Sequence, residues 1–342
     1  MIKRRLRPIE IAMLIVPLCA LAFASWRMGN APEVVVPPRY TVRVLDMRLS
    51  VMGLNDSGDL FGFFSKGADG MELFATRKGQ IQKLGLRDNC TPMAMNSTGD
   101  LVGDCSNKSA HRAFIWRNRK VENLKTFGGD NSYATGLNDK GEVIGRADTK
   151  FFDAAKQPVE QAFLWRNGLM QNLTPESESR SAAIKIDNDS TIVIGEAEGL
   201  SLWQNGEKNW VGDKENLGRY YNGTLLSDLN TASALWHKGK QIKFKPLPNT
   251  NGWFASDVNN YGFAVGAGNT SNDLSRFACV FIQGQMLDLN ELVANSNSWK
   301  LQAAHFINNR GQIICEGKLN GELRFLLLTP QTPATSSTRT NE

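Results

Sequence analysis

Residues 136–168 read GLNDKGEVIGRADTKFFDAAKQPVEQAFLWRNG, and this stretch decides the fold. It holds two turns of different kinds. Asn138-Asp139-Lys140-Gly141 lies between two short apolar runs. Asn bonds its own backbone two residues on and Gly supplies positive φ, so the tetrapeptide makes a hairpin. Asn167-Gly168 follows the apolar run Ala162-Phe163-Leu164-Trp165. Asn-Gly suits a two-residue turn with positive φ at both positions, so this is a second hairpin. Two hairpins predict four strands, each about five residues long.

Both halves recur along the chain. The first half returns as GLNDSGDLFG (53–62), AMNSTGDLVG (94–103) and DVNNYGFAVG (257–266), and as FINNRGQIIC (306–315) with Cys315 at the last Gly. Degenerate copies are KIDNDSTIVIG (185–195) and GRYYNGTLLS (218–227). The second half returns around Thr76, Trp116, Trp203, Trp236, Phe281 and Leu327. The spacing averages about 42 residues, the length of one four-stranded propeller blade. A lone four-stranded sheet leaves two faces and two edges uncovered, and stacking repeats around an axis covers the faces. The expectation is therefore an all-β chain, a β-propeller of about seven four-stranded blades over residues 39–329. The Trp and Phe residues of the second half become packing between blades. The last repeat stops after a third strand at Leu328, whereas RYTVRVLDM (39–47) looks like a fourth strand without a hairpin. The N-terminal strand is expected to complete the last blade and close the ring.

The paired motif resembles the bacterial HAF-repeat family, in which AFLW-x-NG alternates with IN-x-x-G-x-VG. The match is most specific at 94–103 with 113–118 and at 136–145 with 162–168. Arg112-Ala113-Phe114 and Gln161-Ala162-Phe163 stand where the family has His-Ala-Phe. Repeats four and five depart further from the pattern. The resemblance implies an exported, β-rich repeat protein and carries over no catalytic residue.

The N-terminus reads as an export signal. Lys3, Arg4, Arg5 and Arg7 precede an apolar run from Ile11 to Ala24, and Ala22-Phe23-Ala24 has the small-x-small form of a cleavage site. Residues 1–26 are a signal peptide or, uncleaved, a membrane anchor through residues 11–26, the chain's only expected contact with a membrane. Residues 27–38 read as a linker, and 330–342, rich in Pro, Ser and Thr, as a disordered tail. The formal charge of +5 belongs mostly to the leader, because residues 1–30 carry five basic residues and one acid. A near-neutral body without a basic run excludes a nucleic-acid partner.

Four cysteines follow the leader. The Asn96 turn places Cys90 opposite Cys105, a candidate disulfide. Cys279 and Cys315 are a second candidate, joining neighbouring blades. His111, His237 and His305 lie in different repeats, and no metal-ligand spacing, nucleophile elbow or phosphate loop appears. Asp187, Asp189, Thr191 and Glu198 follow a calcium-loop spacing, but Ile192 takes the place of its Gly and the stretch is the repeat's own turn. No catalytic residue, metal or cofactor is expected. The sequence reading is a non-catalytic binding or scaffold protein of the bacterial envelope, periplasmic or extracellular, with an unidentified protein or glycan partner. The alternatives are a hydrolase or lyase using channel-lining carboxylates and a purely structural surface protein.

Overall fold

The computed structural model describes residues 39–331, except 87–88, 108, 214–219, 222–223, 226–233, 238–239, 260, 273–274, 283 and 294–298. The expected leader (1–26), Cys19, the linker up to residue 38, the tail beyond residue 331 and most of the repeat copy at 218–227 lie outside the described residues.

The protein is a β-propeller. Six four-stranded antiparallel sheets follow one another along the chain. The first four span residues 49–83, 90–123, 128–172 and 181–213, and the penultimate one spans 250–288. Two two-stranded pieces, Tyr220–Tyr221 with Thr224–Leu225 and Ala234–His237 with Lys240–Lys243, fall between the fourth and penultimate sheets. The closing sheet joins Trp299–Ile307, Ile313–Leu319 and Glu322–Pro330 to Tyr40–Val44 from the other end of the chain. Tyr40 pairs with Pro330 and Val44 with Leu326. The expected closure strand is present.

The repeat motif is explained residue by residue. In the first hairpin the amide of Gly58 donates to the carbonyl of Asn55, and the amide of Asn55 donates to Asp59. Gly58 sits at φ +83°, a left-handed conformation that closes the turn as a bulge. The last Gly of the motif has a different task. A Cβ at Gly62, Gly103, Gly145 or Gly266 would stand 2.1, 2.0, 1.9 or 1.9 Å from a first-strand carbonyl oxygen. The ladder between first and second strands slips a residue beside each of them, which brings the backbones this close. Cys315 takes this place in the closing sheet, where the ladder slips twice.

The second half of the motif makes the core. Phe74, Phe114, Phe163 and Phe281 are wholly buried in the third strands. Phe281 packs within its own sheet and against Phe244, whereas Phe74, Phe114 and Phe163 pack in clusters that draw on two neighbouring sheets, as Phe114 and Trp116 do with Phe61, Leu73 and Leu84. The same holds from second to third sheet, from third to fourth, and from closing to first. Truncating one such Phe to Ala costs about 3–5 kcal/mol.

The turn asparagines also join the sheets. Asn55 Nδ2 donates to the carbonyl of Asn96 at 2.7 Å, Asn96 to that of Asn138 at 3.2 Å, and Asn138 to that of Asp187 at 3.2 Å. Asn259 donates to the carbonyl of Asn308 at 3.2 Å, and Asn308 returns to that of Asn55 at 2.9 Å. The side-chain oxygen of each meanwhile accepts amides of its own turn, such as Asp59 on Asn55 and Asp100 on Asn96. One residue thus shapes a turn and ties it to the next sheet.

Cys90 and Cys105 are ladder partners and are joined by a disulfide. The second expected bridge is corrected: Cys279 and Cys315 are buried free thiols. Cys279 pairs with Gly266 and Asp288, and Cys315 with Ala304 and Leu326. The two belong to different sheets, and the Cys279 thiol adds to the rise that burial imposes on the Cys315 pKa, but no S–S bond joins them. Strand lengths differ from the expected five as well: Gly128–Leu137 and Val143–Phe152 are each 10 residues long and carry their hairpin beyond its neighbours.

Candidate functional site

Strand direction gives the ring two faces. One carries both sets of tight turns, the Asn55-type and the Asn167-Gly168 type. The other carries the links from sheet to sheet and the loops between second and third strands. While Leu169 and Tyr261 are exposed among the turns of the first face, the large apolar side chains exposed toward this second face are Met47, Met71, Leu323, Phe151, Phe152 and Phe254.

Three of them rim a groove of about 300 Å³ where the closing sheet meets the first. The approach to it is built from the chain that links the closure strand to the first sheet. Asp46 accepts the amide of Arg48 at 2.9 Å, and its carboxylate bonds the Arg48 guanidinium at 2.6 Å. Those bonds hold the Asp46 carboxyl down at about 2. The Arg48 guanidinium in turn lies 4.8 Å over the Phe64 ring. With both neighbours fixed, Met47 projects from the turn at 75% exposure, opposite Met71 at 53% and Leu323 at 52%. Ordinary surfaces expose such side chains singly, so three around one concavity mark an interaction site. Glu316 and Phe325 form the wall on the closing-sheet side. Glu316 is 3.3 Å from His305 Nε2. Burial lowers the His305 pKa, with Glu316 acting against it.

The corresponding place between second and third sheets is polar. His111 Nδ1 lies 3.2 Å from Asp104, and its ring is 5.1 Å from that of Tyr133. Arg146 stacks 4.5 Å over Tyr133 and donates to Glu160 at 3.0 Å. Asp148 accepts the backbone and side-chain amides of Asn131 at 3.0 and 2.8 Å, and Asn131 accepts the amide of His111. Burial raises the Tyr133 pKa, opposed by Arg146. Each carboxylate of this network has a partner within it, so its chemistry is to fasten two sheets.

Asp257 is the most perturbed carboxyl. It accepts the amides of Ile307 at 2.9 Å and Val258 at 2.8 Å, and desolvation pushes its pKa up to about 6. Lys185 of the fourth sheet opposes the shift and donates to the carbonyl of Val258 at 3.3 Å. Among the described residues no group of three His, Cys, Asp or Glu side chains is arranged to hold a metal ion. Of the residues singled out in the sequence, Cys90 and Cys105 are brought together, whereas His111 and His305 lie in separate grooves with one carboxylate each; the side chain of His237 lies outside the described residues. The sequence reading missed the closure groove, because its walls come from opposite ends of the chain, Asp46 to Met71 on one side and Glu316 to Phe325 on the other.

No family model matches the chain, and no curated protein matches it in sequence. In fold, the chain is similar to YCF48 bound to D1 peptide, with TM-score 0.49 and 11% identity over 90% of this chain and 100% of that one. It is similar to TolB from Acinetobacter baumannii, with TM-score 0.37 and 13% identity over 75% of this chain and 59% of TolB. The β-propeller domain of the trilobed protease from Pyrococcus furiosus aligns with TM-score 0.38 and 10% identity, over 86% of this chain and 84% of that domain.

Proposed function

We propose that the protein is a non-catalytic binding propeller of the bacterial cell envelope, exported by residues 1–26, and that its closure groove takes a protein partner. The observation that carries this reading is the trio Met47, Met71 and Leu323, exposed around one concavity beside Arg48 and Glu316. Unbranched thioether side chains adapt their shape to another protein's apolar residues. A neutral glycan site would favour flat aromatic faces instead. The charged rim supplies orientation, as polar rims do around apolar interface centres. We read the strand pairs within 220–243 as the remaining blade of a seven-blade ring, in keeping with the resemblance to exported HAF-repeat proteins.

The test is site-specific photo-crosslinking in the producing cell. A benzoylphenylalanine at Met71 should yield a discrete protein adduct, and one at Leu169, more exposed still among the turns of the opposite face, should not. Adducts at neither position, or at both alike, overturn the assignment of the groove.

A further inference from the structure

A second groove opens on the turn-bearing face, between the first and second sheets. Its volume is about 740 Å³, and Arg77, Gln82, Thr98, Asp100, Arg117 and Arg119 line it. Arg117 is tied to Glu122, so Arg77 and Arg119 face one carboxylate there and the groove favours an anion.

The neighbouring interface shows what is unusual. Between second and third sheets, Arg117 bonds Glu122 at 2.8 Å while lying 5.3 Å over the Trp165 ring, and within the third sheet Arg166 reaches Glu142 at 3.9 Å. Arg77 is the counterpart of Arg117 one sheet earlier, but Gln82 stands in the ladder place that Glu122 holds. The counterpart of Glu142 is Asp59, which is buried and already accepts from Thr76 Oγ1 at 3.2 Å and the Gly79 amide at 3.4 Å. Arg77 is left without an acidic partner among the described residues.

Arg119 is the independent observation. It occupies the second position of a tight turn at φ +61°. The same position is Gly79, Gly168, Gly206 and Gly284 in other repeats, all at positive φ. A side chain in this conformation carries a steric cost that glycine does not. Here it puts a guanidinium at the mouth of the groove.

We propose that this groove binds an acidic carbohydrate, with Arg77 and Arg119 gripping its carboxylate or phosphate and Gln82, Asn118 and Asp100 meeting its hydroxyls. Guanidinium forks match both oxyanions with paired hydrogen bonds. The neutral and acidic acceptors beside them suit hydroxyl donors, which a bare anion lacks. The volume falls in the range of small-ligand sites, roughly 300–1,000 Å³.

The experiment is calorimetric titration of the purified full-length protein at low salt with oligogalacturonate, glucose 6-phosphate and neutral maltohexaose. Binding of either acidic probe without maltohexaose supports the proposal, and which one binds identifies the oxyanion. Gln82→Glu gives Arg77 the partner that Arg117 has, and Arg119→Gly relieves the turn. Each should weaken binding by about tenfold or more, and Arg119→Gly should leave the melting temperature unchanged or higher. Binding of neither acidic probe, equal binding of maltohexaose, or wild-type affinity in both variants overturns the proposal.

Discussion

Asn308→Asp tests how the ring is tied. The native side chain makes four hydrogen bonds in a buried setting. Its oxygen accepts the amides of Arg310 at 3.0 Å and Gln312 at 2.9 Å, and its nitrogen donates to Asn55 O and Gln312 Oε1, both at 2.9 Å. The substitution keeps the shape and the acceptors and deletes only the donors. Gln312 can turn its amide and recover its bond. The carbonyl of Asn55 cannot, and a carboxylate oxygen then faces it without water. Loss of one net hydrogen bond, about 1 kcal/mol, adds to the cost of a poorly compensated buried charge, for a total of about 3 kcal/mol. At about 2 °C per kcal/mol or more, the melting temperature falls by roughly 6 °C at pH 7.5. The charge also gives the loss a pH signature. A carboxyl in this position has its pKa raised by burial and by the facing carbonyl, and once protonated it donates to Asn55 as the amide did. The deficit is therefore largest above the raised pKa and shrinks as pH falls through it. Thermal unfolding followed by Trp fluorescence at pH 7.5 and 4.5 reads both quantities. A deficit below about 1 kcal/mol at pH 7.5, or one equal at both pH values, would refute the reasoning.

Further outcomes follow from single contacts. Gly145→Ala places a Cβ 1.9 Å from the Tyr133 carbonyl and 2.8 Å from the Phe163 ring, so the ladder must open; denaturant titration should show a loss of about 2 kcal/mol or more. Asp257 binds its proton more tightly folded than unfolded, so its contribution to stability falls as pH rises from the unfolded value of 3.8 through about 6 and is unfavourable above that. Asp257→Asn should flatten this part of the stability–pH curve and raise the melting temperature at pH 7.5, and an unchanged curve would show the carboxyl to be solvated. Reduction of the Cys90–Cys105 bridge, which closes a loop of sequence separation 15, should cost about 3 kcal/mol in chemical denaturation with and without dithiothreitol. Mass-detected alkylation of the folded, unreduced protein should leave Cys279 and Cys315 unmodified, because both thiols are buried.

The parts of the fold legible in the sequence were those written in local chemistry. Asn-x-x-Gly and Asn-Gly gave the hairpins, and the incomplete last repeat with its N-terminal complement gave the closure. Symmetry about the Asn96 turn gave the Cys90–Cys105 pairing, because ladder register is arithmetic once the turn is known. What the sequence left hidden lies between repeats. The turn asparagines read as caps, and their amides bond the next sheet, a partner about one repeat away. Cys279 and Cys315 read as a bridge because their repeats are neighbours, but the structure leaves both as buried free thiols. The closure groove joins Met47 and Met71 to Leu323 only when the two ends of the chain meet. Arg119 was visible as a departure from Asn-Gly, yet its meaning depends on the backbone angle and on the missing partner of Arg77.

The central claim is that Tyr40–Val44 closes the ring as the outer strand of the last sheet, which creates the groove. Hydrogen–deuterium exchange read by mass spectrometry at peptide resolution tests it most directly. The account predicts that peptides covering 40–44 are protected together with those covering 322–330 and exchange in the same cooperative step. Exchange of 40–44 within seconds, while 322–330 stays protected, would contradict it.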